Sequence, residues 1–387
     1  MMSFDEFKDK IVEGIRDFLP DSFKEAEISL NDVTKNNDTR LTGLTIRNNA
    51  SEISPTIYLE QFYDKYKDGF SLDELLENIA NIRVDRGIDT ALSENFSVDM
   101  LTKLEMIKDK ITCKLLNREM NEDYLSNKPF TAVEDLAVVY MVDLGGGPNG
   151  HMSTVITDNL MEMYGLTTPE LHSIAMDNLA KTEISFRSMM DVIREMKHPG
   201  MMPENEPDFF GADEMPMYVL NTKDMFNGAR AILDTRTMDD IAQKLNGDFI
   251  VIPSSINECI ILPMRDALNR EDMDGMIRDV NSTQVAAEER LSDHIYMYDA
   301  VEHELVHPDR YVERVYDREH DKTTDSRDVK DTVNGRENRE SCDKRIDKSQ
   351  DRDRVSVKDK IAAKTVEAAA KAKEHPVPER AVEAVSV

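Results

Sequence analysis

Phe4, Phe7, Ile11, Ile15 and Phe18 recur at helical spacing over the first twenty positions, with acids in the opening turn and Pro20 beyond, which predicts an amphipathic helix. Two short runs with strand character follow, "AEISLNDV" and "RLTGLTIRN", joined by the polar turn "TKNNDT", and they predict a β-hairpin. "SPTIYLEQFYDKYKDG" reads as a strand running into a helix that stops near Gly69, and "SLDELLENIANI" reads as a helix opened by a Ser71/Glu74 capping box. "VDMLTKLEMIKDKITCKLL" has helical spacing in its first half and is ambiguous after Lys110.

"DLAVVYMVDL" and "HMSTVIT" are apolar, β-rich runs on either side of "GGGPNG". Gly145 to Gly147 sit before a strand rather than a helix, so they predict a hairpin and not a phosphate loop. Thr157 is placed to cap "DNLMEMYGL", and Thr168 before Pro169 to open "TTPELHSIAMDNLAK", with His172 read as a helix residue rather than a ligand or base. "FRSMMDVIREM" reads as a helix and "HPGMMPENEPDFFGADEMP" as a loop. Beyond it come a strand at "MYVLN", a helix starting at "GARAIL", a helix at "TMDDIAQKL", two buried strands "DFIVIP" and "ECIILP" around "SSIN", a helix at "NREDMDGMIRDVN", and a last strand at "DHIYMYD". Strand pairs separated by helices, without regular βαβ crossovers, predict an α+β fold of helices and short, mainly antiparallel strands.

After Tyr316 the apolar positions nearly vanish. "DREHDKTTDSRDVKDTVNGRENRESCDKRIDKSQDRDR" cannot offset its ordering entropy by burial, so a disordered C-terminal tail is expected. Good helix formers gather over 355–374, where Val355 to Lys373 carries five lysines against Asp359 and Glu367. The expected organisation is an N-terminal α+β subdomain over 1–125, a second over 126–300, and a charged tail over 301–387.

Charge sharpens this division. Of 387 residues, 48 are basic and 77 acidic, a formal net charge of −29. Basic and acidic residues cancel from Val306 to Val387, so the whole excess lies in residues 1–305. Such a body repels phosphate backbones and anionic lipid, which excludes it as a nucleic-acid or membrane binder and leaves nucleic-acid contact to the tail. No run of 18 apolar residues occurs, and "MMSFDEFKDKIVEGIRDFLP" lacks the apolar core of a secretory signal. Cys113, Cys259 and Cys342 are too few and too scattered for a disulfide framework, so a reducing cytoplasm is expected. The 23 methionines fit flexible core fillers.

One stretch carries recognisable chemistry. His303-Glu304-Leu305-Val306-His307 spells H-E-x-x-H, in which two histidines one helical turn apart hold zinc and the glutamate acts as base. Asp299 and Glu302 have capping-box spacing that could open such a helix. Pro308 opposes it: a residue before proline leaves the α region, and Tyr311, Val312, Val315 and Tyr316 predict a new helix beginning at Pro308, with His307 outside. Arg310 and Glu313 stand where the extended zinc motif wants glycine and a third ligand, and Asp325 or Asp328 would have to serve instead. The expectation is therefore no metal and no cofactor, with a zinc-dependent hydrolase on His303, Glu304 and His307 as the alternative. Ser254, Ser255, Glu258 and Cys259 surround a strand turn without an identifiable base, and Cys259 reads as a buried strand position.

The stretches "SLNDVTKNNDTRLTGLTIRNNASEISPTIYLEQFYDKYKDG", "NGDFIVIPSSINECIILP" and "VNSTQVAAEERLSDHIYMYD" together resemble domain of unknown function 5688, a family of uncharacterised proteins from Gram-positive gut bacteria. The resemblance spans residues 1 to about 300 and implies a cytoplasmic bacterial protein with no established activity, so it carries over no catalytic residue. The family pattern "PSSIHE" reads "PSSINE" here, with Asn257 in place of histidine, and the aliphatic residue expected at Cys259 favours packing. "HELVH" begins where the resemblance ends. The functional expectation is a cytosolic binding protein with a protein partner. The further alternative is a mobile-element accessory protein that meets nucleic acid through its tail.

Overall fold

The computed structural model describes residues 1–48, 54, 56–85, 98–147, 150–197, 216–264 and 270–324. These form two compact units that divide after Thr182, and the architecture is α+β with antiparallel sheets throughout. The proline- and acid-rich loop over 198–215 and the tail from 325 onward, including the 355–374 segment and Cys342, lie outside the described residues.

In the first unit, α1 (Phe4–Phe18) is opened by a capping box in which Ser3 and Glu6 satisfy each other's backbone N–H groups. It buries Phe7, Ile11 and Ile15 against β1 (Glu27–Thr34), β2 (Arg40–Arg47) and β3 (Thr56–Tyr58), joined by Leu44, Ile46, Leu75 and Ile79. Each such side chain contributes about 1.5–3 kcal/mol on leaving water. α2 (Glu60–Lys67) and α3 (Leu72–Asp85) complete the layer, the latter opened by Ser71 and Glu74 as expected. Arg83 is buried on α3, where its Nε donates to the Ile46 carbonyl at 2.8 Å and its guanidinium lies over the Phe23 ring.

The second sheet of this unit has β6 (Leu136–Gly147) at its centre, with β4 (Ile111–Asn117) along one side and β5 (Phe130–Val133) and β7 (Gly150–Val155) sharing the other. The pairing of β4 with β6 spans position 125. The glycine run is a hairpin, with Gly147 opposite Gly150. α4 (Asp158–Tyr164) is capped by Thr157, and α5 (Thr168–Leu179) by Thr167 with Glu170, one residue earlier than the proline suggested. The β1–β2 turn also ties the two sheets together. Asn37 and Asp38 take left-handed backbone, Asn37 exchanges hydrogen bonds with Asn121, and the Asp38 carboxylate accepts from the Asp123 and Tyr124 backbone N–H groups.

The second unit is built on one six-stranded sheet in the order β13-β12-β10-β11-β9-β8. Its elements are β8 (Ile184–Ser188), α6 (Met189–Lys197), β9 (Tyr218–Thr222), a buried 3-10 turn (Gly228–Leu233), α7 (Thr235–Leu245), β10 (Phe249–Ser255), β11 (Glu258–Pro263), α8 (Arg270–Thr283), β12 (Tyr296–Asp299), β13 (Glu304–Val306) and α9 (Pro308–Thr324). Ile250, Leu262, Met273, Ile277, Met297, Val306 and Tyr311 form the core that seats α8 and α9.

Three local expectations are corrected. "FRSMMDVIREM" is not one helix: Phe186 to Ser188 belong to β8, because pairing with β9 outweighs a marginal helical pattern. "GARAIL" is a 3-10 turn rather than a helix start, held by burial of Ala229, Ala231 and Ile232. β12 is not the last strand: β13 follows it, and α9 then begins at Pro308, where the sequence placed a helix start. Val306 is wholly buried and Tyr311 nearly so, which anchors β13 and the start of α9.

Candidate functional site

The H-E-x-x-H residues sit on a hairpin. Asp299 pairs with Glu304, Tyr298 with Leu305 and Met297 with Val306. The chain turns through residues 300 to 303, and His303 closes the turn at φ +58°, a left-handed value usually left to glycine or asparagine. Asp299 does not open a helix; its Oδ1 accepts the Val301 and Glu302 backbone N–H groups at 3.1 and 3.3 Å and so builds the turn. His307 then lies just outside α9, whose first residue is Pro308. Four residues of strand span up to about 13 Å, against about 6 Å for one helical turn. The single helix face on which two imidazoles meet one metal ion is therefore not formed.

Each side chain of the motif has a different partner. His303 Nδ1 lies 2.6 Å from Asp239 Oδ1, on α7, which also accepts the Tyr298 hydroxyl at 2.7 Å. The hydrogen bond that His303 donates to Asp239 raises the His303 pKa, and the bonds Asp239 accepts from His303 and Tyr298 lower its own. Glu304 Oε2 accepts from Arg314 at 2.5 Å, with Arg310 at 3.6 Å. His307 Nδ1 accepts the Asp309 N–H at 3.3 Å, and its ring meets that of His294 edge-on at 4.8 Å between centroids. Asp309 is in turn bound by Arg270, which holds its carboxyl below the ordinary range. Among the described residues no group of three or more His, Cys, Asp or Glu is placed to hold a metal ion.

Asp299 is the electrostatic centre of this region. It is fully buried, accepts from Arg318 at 2.7 Å and lies 3.7 Å from Arg314. Burial pushes its carboxyl upward, but the Arg318 bond and the two backbone donors outweigh that and leave it lowered. Arg310, Arg314 and Arg318 recur every fourth residue, so one stripe of α9 faces the carboxylates of the hairpin. The Tyr311 hydroxyl donates to Asp248 at 2.5 Å, and Asp248 also takes the Ala300 N–H at 2.8 Å. The arginine stripe was legible in a helical reading of the sequence. Asp239 and Asp248, some sixty residues upstream, carried no local signal.

The other candidates are likewise internal. Cys259 is fully buried and desolvation pushes its thiol pKa up, the reverse of an activated nucleophile. In the adjoining turn Ser255 Oγ accepts the Asn257 N–H at 3.1 Å, and Ile256 donates its N–H to the Glu289 carbonyl at 2.9 Å. Gly228 lies so close under this turn that a Cβ there would run into the Asn257 carbonyl and come within 2.9 Å of the Thr222 nitrogen. In the first unit, His172 Nδ1 is 3.0 Å from the hydroxyl of buried Tyr140, which is 2.5 Å from Thr131 Oγ1. Burial lowers the His172 pKa and raises that of Tyr140 to about 12, so a neutral imidazole accepts from the phenol.

Compared with known proteins, residues 4–300 match a family of unknown function (DUF5688), and the match ends before His303. No curated protein and no solved structure matches the chain. Among the described residues no helix is long and apolar enough to cross a membrane.

Proposed function

We propose that this chain, which belongs to that family of unknown function, is a cytosolic binding protein whose acidic body takes a basic protein partner. The observation that carries this reading is the commitment of His303 to Asp239, of Glu304 to Arg314 and of His307 to the start of α9. Side chains spent in this way build a hairpin and hold a helix. The net charge of −29 adds the second support, since its field attracts cationic surfaces and repels phosphate. Cys113 and Cys259, both buried and outside any disulfide among the described residues, agree with a reducing compartment.

The test is metal content by mass spectrometry on protein purified without a histidine tag, beside a His303→Ala variant. The expected result is no stoichiometric zinc in either protein. One zinc per chain in the parent, lost in the variant, would overturn the reading in favour of a hydrolase.

A further inference from the structure

Among the described residues β1 has β2 on one side and no strand on the other. Thr42, the β2 residue opposite Asp32, turns its backbone toward β3: its carbonyl accepts the Leu59 N–H at 3.0 Å and its own N–H donates to Glu60 at 2.6 Å. At the hairpin turn the Lys35 N–H donates to the Thr39 carbonyl at 2.7 Å. An antiparallel pair alternates strictly, so Ser29, Asn31 and Val33 bond to β2 while Ile28, Leu30, Asp32 and Thr34 aim their N–H and carbonyl groups outward. Among the described residues none of these outward groups has a hydrogen-bond partner.

We infer that this edge takes an extended, lysine- or arginine-bearing segment of a partner protein as a fourth strand of the β1-β2-β3 sheet. The inference rests on the reading that the acidic body takes a basic protein partner. Donors and acceptors that recur every second residue, about 6.8 Å apart, match the spacing of another extended backbone. The side chains of β1 set what that backbone carries. Ile28 and Leu30 are half-buried and pack against the core that α1 covers, so residues opposite them gain by being apolar. Asp32 follows on the same face and is exposed, and Glu27 is exposed at the start of the strand. These are the only charges of β1, and both are acidic. Lys8, which also feels the Asp32 charge, is held by Asp5 at 2.8 Å. A basic residue opposite Asp32 therefore meets an exposed carboxylate. A second copy of β1 would bring acids alone, on another body of charge −29.

The probe is the capped peptide Thr-Thr-Lys-Thr-Val-Thr-Val-Lys, beside the same peptide with glutamate for lysine. Paired antiparallel, it sets lysine opposite Asp32 and Glu27 and valine opposite Leu30 and Ile28. Amide hydrogen exchange in the full-length protein is followed by NMR. Before peptide is added, Ile28, Leu30, Asp32 and Thr34 are expected to exchange fast, and Ser29, Asn31 and Val33 slowly. The lysine peptide should slow the first group roughly tenfold when it exceeds its dissociation constant tenfold. Asp32→Pro removes one outward N–H and the charge but no bond to β2, so it should weaken binding about tenfold with an unchanged melting temperature. Asp32→Asn, which keeps the backbone donor, should weaken it about threefold.

Protection of the outward amides before peptide is added would overturn the inference; if it grew with protein concentration, the occupant would be a second copy. Equal binding of the lysine and glutamate peptides would overturn the choice of a basic strand. Binding of the lysine peptide elsewhere on the body, unchanged by Asp32→Pro, would remove β1 as the site and leave the basic-partner reading standing. No binding of that peptide anywhere would count against both.

Discussion

Asp299 and Arg318 meet at 2.7 Å with the carboxylate wholly buried, and this contact joins the end of β12 to the third turn of α9. Two backbone N–H groups of the hairpin turn share the same oxygen. Replacing Asp299 by alanine would remove the acceptor of both turn N–H groups and of Arg318, and would leave Arg314 with Glu304 alone. Because both arginines reach partly into solvent, the expected loss is about 2–3 kcal/mol, read from urea denaturation. A loss no larger than that of a surface ion pair would show that the contact does not anchor α9.

Asp239 and His303 predict a titration. The carboxylate favours the imidazolium, so His303 titrates above 6.5 in the folded protein. The stability this pair adds is present below the unfolded value and is lost as pH rises through the folded one. NMR titration of the His303 ring should show the raised value, and Asp239→Asn should return it toward 6.5. An unchanged titration in that variant would mean that the 2.6 Å contact does not persist in solution.

His172 should behave in the opposite sense. Burial depresses its pKa below 6.5, so between the two values the unfolded chain binds more protons than the folded one. Stability of the first unit is therefore full above 6.5 and declines as pH falls through the folded value. His172→Gln should flatten that decline, and Tyr140→Phe should cost about 1 kcal/mol through the lost hydrogen bonds. Acid sensitivity that is the same with and without His172 would place its origin elsewhere.

Two glycines of the second unit separate close approach from mere flexibility. Gly228→Ala forces a Cβ against backbone atoms of Asn257 and Thr222, which cannot swing aside, so a loss of about 3 kcal/mol is expected. Gly275 lies within α8 with no heavy atom within 4 Å of its would-be Cβ, so Gly275→Ala should stabilise by about 0.5–1 kcal/mol. Thermal denaturation of the two variants in parallel tests both signs, and a neutral Gly228→Ala would show that the 3-10 turn can move.

Local chemistry made much of the fold readable. Ser71 with Glu74 is a capping box because the spacing satisfies backbone donors wherever the helix lies. β1–β2, β6–β7 and β10–β11 are hairpins because alternation and a polar turn act over a few residues. Pro308 opened α9 for a reason confined to its own ring and neighbours. The strand assignment of Phe186 to Ser188 was not readable, because it depends on Tyr218 to Leu220 arriving alongside.

The sequence by itself determined the α+β class, the helix starts marked by capping residues or proline, the hairpins and an acidic body, since each follows from neighbours along the chain or from summed charge. It also determined that His307 falls outside the helix that follows it. Only the tertiary structure decided which groups His303, Glu304 and Asp299 meet, because Asp239, Arg314 and Arg318 reach them from separate elements. It likewise decided where Val306 and Tyr311 pack, in a core built by α8 and the sheet, because burial against distant residues has no signature in local composition.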